Sequence, residues 1–71
     1  MAEQINPDHY KRGGVECIEA IKASMSDEAF QGYLKGNVVK YVWRWPLKGE
    51  KDLEKAQWYL NRLIAEHEQR L

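Results

Sequence analysis

Apolar residues recur at three- and four-residue intervals along most of the chain, and nowhere do they alternate over a run long enough to suggest a strand. In VECIEAIKAS, Val15, Ile18 and Ile21 together with Cys17 hold helical spacing, which predicts a short helix from about 15 to 23. SMSD breaks it, and Ser24 or Ser26 can accept a hydrogen bond from the free N–H groups that start the next helix. That second helix is predicted over 27–45, where Phe30, Leu34, Val38, Tyr41 and Trp45 fall on one core-facing side. Pro46 is expected to stop it, because proline cannot donate to the helical ladder and disfavours helical backbone in the residue before it. After the tight PLKGEKD connection, Asp52 is placed as the N-cap of a third helix, LEKAQWYLNRLIAEHEQR, with Leu53, Ala56, Leu60, Leu63, Ile64 and His67 sharing one face. Asn6-Pro7 and Gly13-Gly14 are turn signals that mark residues 1–14 as an extended N-terminal arm. The expectation is an all-α, three-helix small domain: one domain over 1–71, with the arm at 1–14 and a helical body at 15–71.

The second helix carries more than a core stripe. Its middle, GYLKGNVVKYVWRW, contains two glycines that each cost roughly 0.5–1 kcal/mol relative to alanine in a helix interior. Gly32, Gly36, Val39 and Trp43 form a second face opposite the core stripe, small at one end and large and apolar at the other. Two readings compete: close packing against the third helix, or an oligomer interface where subunits approach through the glycines. Trp58 favours the interface, since it lies opposite the apolar stripe of its own helix and an exposed indole suits a contact surface.

Between these faces runs a polar edge, Tyr33, Asn37, Lys40 and Arg44, at spacings that stack side chains along one side of a helix. Arg44 can hold a phosphate by a two-pronged contact and Lys40 as a point charge. The Asn37 amide can donate to and accept from a base or sugar edge, and Tyr33 offers a ring for stacking. A solvated polar edge paired with nearby glutamates explains the same residues without a ligand. The arm adds His9, Tyr10, Lys11 and Arg12 just before the glycine pair; these can fold over an anion near a helix start or be a basic tail.

Composition narrows the choices. A chain of 71 residues buries only about 60% of the surface its unfolded form exposes, so added stabilisation is expected. Cys17 is the single cysteine, which rules out an internal disulfide, and with His9 and His67 far from it no zinc set is formed. No metal or cofactor is expected, and a homo-oligomer is. Eleven basic and eleven acidic side chains cancel, which argues against general nucleic-acid binding and leaves only local anion sites. No apolar run approaches the roughly 20 residues of a membrane span, nor does the start read as a signal peptide.

HYKRGGVECIEAI, then FQGYLKGNVVKYVWR, then KGEKDLEKAQWYLNRLI resemble a small family of bacteriophage proteins of largely unknown function. The same stretches are similar to the C-terminal part of a podophage early nucleotide kinase. The resemblance covers about His9 to Ile64, and by position it carries His9, Tyr10, Gly14 and Glu16 in the arm region. Further along it carries Gly36, Asn37, Lys40, Tyr41 and Arg44, and beyond the turn Lys48, Asp52, Leu53, Ala56, Trp58 and Tyr59. It implies a phage protein acting in the cytoplasm of the infected host, an oligomer, and contact with nucleotides.

Three functions compete on this footing. A binding module would hold nucleotides or small, even cyclic, nucleotide signals on Asn37, Lys40 and Arg44, and so sequester a host defence signal. An enzyme would be a nucleoside monophosphate kinase or a metal-dependent pyrophosphatase; Glu16 and Glu19 give half of the carboxylate cage the latter needs, and the second half is missing. An inhibitor would engage a host protein through Trp43 and Trp58. The binding module is preferred, with the catalytic residues left unassigned.

Overall fold

A computed structural model describes residues 10–70. They form a mostly α-helical small domain with three helices and one small sheet. The chain opens with a hairpin of β1 (Lys11–Arg12) and β2 (Val15–Glu16), antiparallel, with Lys11 opposite Glu16 and Arg12 opposite Val15. Gly13 and Gly14 have φ of 59° and 83°, the paired positive values of a two-residue turn whose twist matches the strands it joins. The glycine pair therefore reverses the chain and does not open a helix. A hydrogen bond from the Cys17 N–H to the Tyr10 carbonyl, 2.6 Å, closes the base of the hairpin. Strands of two residues are too short to show an alternating pattern, which is why the region read as an extended arm running into a helix at 15.

Helix α1 spans Cys17–Ala23, two residues shorter than expected. Helix α2 spans Asp27–Lys48 and starts where Ser26 turns extended backbone into helix, its Oγ accepting from the Ala29 N–H at 3.1 Å. It runs through Pro46 and does not stop at 45. In the last turn proline forfeits one ladder bond only, that to the Val42 carbonyl. The helix ends instead at Gly49, whose N–H reaches the Trp45 carbonyl at 2.8 Å and whose φ of 103° suits a residue without Cβ. Helix α3, Glu50–Glu68, follows at once, with Gly49 as its N-cap. Asp52 is thus not the cap; it lies in the first turn of α3 and is buried.

The buried apolar residues are Ile18 of α1, Phe30, Leu34 and Tyr41 of α2, and Ala56 and Tyr59 of α3. For α2 this is the expected stripe with Val38 at its margin, except that Trp45 is exposed. For α3 the inner face is rotated from expectation. Asp52, Ala56, Tyr59 and Glu66 face inward with Leu63 partly covered, while Leu53, Leu60, Ile64 and His67 are exposed. The rotation follows from ring stacking, since Tyr59 lies parallel to Tyr41 at 5.7 Å between centroids, and from two carboxylates that turn inward to meet cations.

Glu66 is one of these carboxylates. Lys22 of α1 reaches its Oε2 at 3.1 Å and the Arg62 Nε donates to the same oxygen at 3.0 Å, while Arg62 also bonds Glu19 of α1 at 2.9 Å. Arg70 adds a tie to Asp27 at the start of α2 at 2.6 Å. Burial pushes the Glu66 carboxyl up, but the Lys22 and Arg62 hydrogen bonds and charges outweigh it and hold the group below the usual carboxylate range. The network ties α1 to the far end of the α2–α3 hairpin. Among the described residues no helix is long and apolar enough to cross a membrane.

Candidate anion-binding seam

Where α2 and α3 converge on their Gly49 joint, three cations gather around one aromatic ring. The Lys40 Nζ lies 4.4 Å, the Arg44 Cζ 5.1 Å and the Lys55 Nζ 5.4 Å from the centroid of Tyr41. Tyr41 is buried and held flat by Tyr59, so the ring is a fixed platform whose negative face attracts positive charge. Two of the cations come from α2, one from α3.

One carboxylate anchors the group. The Arg44 Nε donates to Asp52 Oδ2 at 2.6 Å, and Lys55 lies 3.7 Å from Asp52 Oδ1. The hydrogen bond to Asp52 raises Arg44 above its ordinary value, and the same bond holds the Asp52 carboxyl below the usual carboxylate range despite its burial. These four side chains carry three positive charges against one negative. Lys40 has no ion-pair partner among the described residues, and it is exposed. Cations crowded this closely repel one another, and a bound dianion relieves that repulsion.

The structure places the other expected site residues as follows. The Asn37 Nδ2 donates to the Tyr33 carbonyl one turn back at 2.9 Å, which engages the amide with its own helix. Tyr33 is half-buried, stacked on Phe30 at 6.0 Å and edge-on to Tyr59 at 6.2 Å, so its ring is committed to the core margin. Lys11 faces Glu16 across the hairpin at 3.9 Å. Tyr10, Lys11 and Arg12 line a shallow groove with Val15, Cys17 and Ala20, which shares no residue with the seam. His9 lies outside the described residues. Glu19 is paired with Arg62, and among the described residues no cluster of three or more His, Cys, Asp or Glu assembles into a metal set.

The expected interface residues separate. A Cβ built on Gly32 or Gly36 meets nothing within 4 Å, so close packing against α3 is not the reason for either glycine. Val39 is exposed and Trp43 is 84% exposed on that same open stripe. Trp58 is not an exposed indole: it packs edge-on against Tyr59 at 5.1 Å and lies half-buried at the core margin.

Lys55 and Asp52 are the parts of the seam that sequence pattern missed. Arg44 stands five residues before Gly49 and Asp52 three after it, positions that a tight joint between two antiparallel helices brings side by side. Lys55 follows Asp52 by three, on the same helical edge.

Residues 5–61 match the family described as "Protein of unknown function (DUF3310)", and the chain belongs to that family. Two of its relatives are phage proteins. It is 47% identical over 60 residues to "Gene 1.7 protein" of Enterobacteria phage T3, covering 76% of this chain and 37% of that protein. It is 42% identical over 67 residues to "Nucleotide kinase gp1.7" of Escherichia phage T7, covering 86% of this chain and 34% of that protein. The chain thus spans about a third of the length of these relatives. No solved structure matches it.

Proposed function

We propose that the protein is a phage nucleotide-binding module whose Lys40, Arg44 and Lys55 seam takes the phosphate of a nucleotide or of a small linear or cyclic nucleotide signal, and that it acts in the cytoplasm of the infected host by sequestering that ligand. The observation that carries this reading is the excess of positive charge gathered on the Tyr41 ring, with Lys40 exposed at its edge. Arg44 is oriented by Asp52 through its Nε, which leaves the other guanidinium N–H groups as donors for a phosphate, while Lys40 and Lys55 add point charges near the same ring. The name of the T7 relative points to nucleotides as the phosphorylated ligand.

Titration calorimetry with mono-, di- and cyclic nucleotides tests the reading. Binding that weakens by about tenfold or more in Lys40→Ala/Lys55→Ala, and weakens again as salt is raised, supports it. A flat response across the panel refutes it.

A second reading, a module of a nucleoside monophosphate kinase, is favoured by that same relative's name. Phosphoryl transfer requires two nucleotides held in line and charge stabilisation at both. Conversion of labelled nucleotide at catalytic protein concentration supports this alternative over sequestration.

A further inference from the structure

The groove beside the β1–β2 hairpin has a volume of about 510 Å³, within the size range of small-molecule sites, and is lined by Tyr10, Lys11, Arg12, Val15, Cys17 and Ala20. Its form follows from the hairpin and the start of α1. Arg12 and Val15 stand opposite each other across the two strands, so their side chains share one face. The bond from the Cys17 N–H to the Tyr10 carbonyl ties the segment entering the hairpin to the first residue of α1. Ring, cations and helix are thereby held at a set spacing.

Two kinds of chemistry lie side by side there. Tyr10, Val15, Cys17 and Ala20 give apolar walls, and two of these are largely uncovered, Tyr10 at 69% exposure and Val15 at 50%. Lys11 and Arg12 give positive charge, and none of the six lining residues is acidic. Arg12 makes no ion pair among the described residues. Lys11 reaches Glu16 only at 3.9 Å with its own side chain 59% exposed, a contact that solvent weakens. A second groove, between Gly32 and Lys35 of α2 and Leu60 and Ile64 of α3, carries Lys35 and Glu68 together and so favours neither sign of charge. The hairpin groove favours anions.

We infer that the hairpin groove is a ligand site separate from the seam, and that it takes a small anion carrying a flat ring. The Tyr10 ring offers a face on which a planar group stacks, with Val15 and Ala20 lining the remainder. The Arg12 guanidinium takes a carboxylate or phosphate by two parallel N–H bonds, and Lys11 adds a second positive charge. Anion and ring have to be joined in one molecule. A bare anion leaves the apolar walls in water, and a neutral ring leaves the cations unmet. Aromatic carboxylates and nucleotides share this chemistry.

Amide chemical shifts of the isotope-labelled full chain, followed during titration with benzoate, adenosine monophosphate, adenosine or inorganic phosphate, test the inference, with Arg12→Gln and Tyr10→Leu beside the wild type. Benzoate or adenosine monophosphate is expected to move amides within residues 10–20 saturably, and adenosine and inorganic phosphate to bind there about tenfold or more weakly. Which of the two ring-bearing anions binds more tightly assigns the site to carboxylates or to nucleotides. Each substitution weakens that ligand by about tenfold or more and leaves the helical circular dichroism unchanged, because both side chains are exposed. Cys17, the single thiol of the chain, gives an independent reading, since a bound ligand slows its alkylation by iodoacetamide. No shift within residues 10–20 for any probe at millimolar concentration overturns the inference, as does a response that Arg12→Gln leaves at wild-type strength. Shifts from adenosine monophosphate confined to residues 40–55 overturn it while leaving the seam standing, and shifts confined to residues 10–20 support it and count against the seam.

Discussion

Three glycines with similar surroundings behave differently when backbone angle is considered. Gly36 has ordinary helical backbone and open space where a Cβ would stand, so Gly36→Ala is expected to stabilise the fold by about 0.5–1 kcal/mol. Gly32 has the same freedom. Gly49 also has open space, but its φ of 103° and ψ of 174° lie in a region essentially confined to glycine, so Gly49→Ala costs about 1–3 kcal/mol. Urea denaturation of the two alanine variants checks both signs. A similar contrast separates the seam cations. Lys40→Ala removes an exposed charge and spares the fold, whereas Arg44→Ala leaves the Asp52 carboxylate buried without its main partner and lowers the melting temperature. Removing Asp52 as well restores part of that loss, which a double-mutant cycle by thermal unfolding measures. Arg44 was legible in the sequence as a cation on a useful edge; Asp52 was not legible as its partner, because eight residues and a turn separate them.

At the scale of the element, local signals served best where they act locally. Ser26 caps α2 as its position suggested, and Ser26→Ala is expected to cost about 1 kcal/mol in the same denaturation assay. The stripe of Phe30, Leu34 and Tyr41 was legible because apolar residues at helical spacing have no other stable place. The inner face of α3 was not. Its pattern was read by counting leucines inward, while the helix turns on Tyr59 and on Asp52 and Glu66, whose burial depends on cations from other parts of the chain. That choice makes stability depend on acid. Glu66 and Asp52 both titrate below their ordinary range in the fold, so the unfolded chain binds more protons and stability rises with pH through that region. The contribution is complete above the ordinary carboxylate range, about pH 4–5, and is lost as pH falls through and below it. Thermal melts from pH 7 to pH 3 should show a falling midpoint, with a smaller fall in Glu66→Gln.

For the whole molecule, two flanks of one helical hairpin carry different chemistry. One presents cations on a tyrosine platform, the other an apolar groove, and α1 is fastened to the cationic side by Lys22–Glu66 and Glu19–Arg62. The three-helix outline could be read from the sequence, but the division into flanks could not, since it depends on which way α3 turns relative to α2. The chain aligns with about a third of the length of each of these two phage relatives. Because Gly49 alone joins the two long helices, that turning is set by chain length as strictly as by side-chain identity. One extra residue at the joint would rotate everything after it by about 100°. Asp52 would swing away from Arg44 and Tyr59 away from Tyr41, so a lone insertion there should be less tolerated than several in the Gly13–Gly14 turn, where no later contact depends on phase.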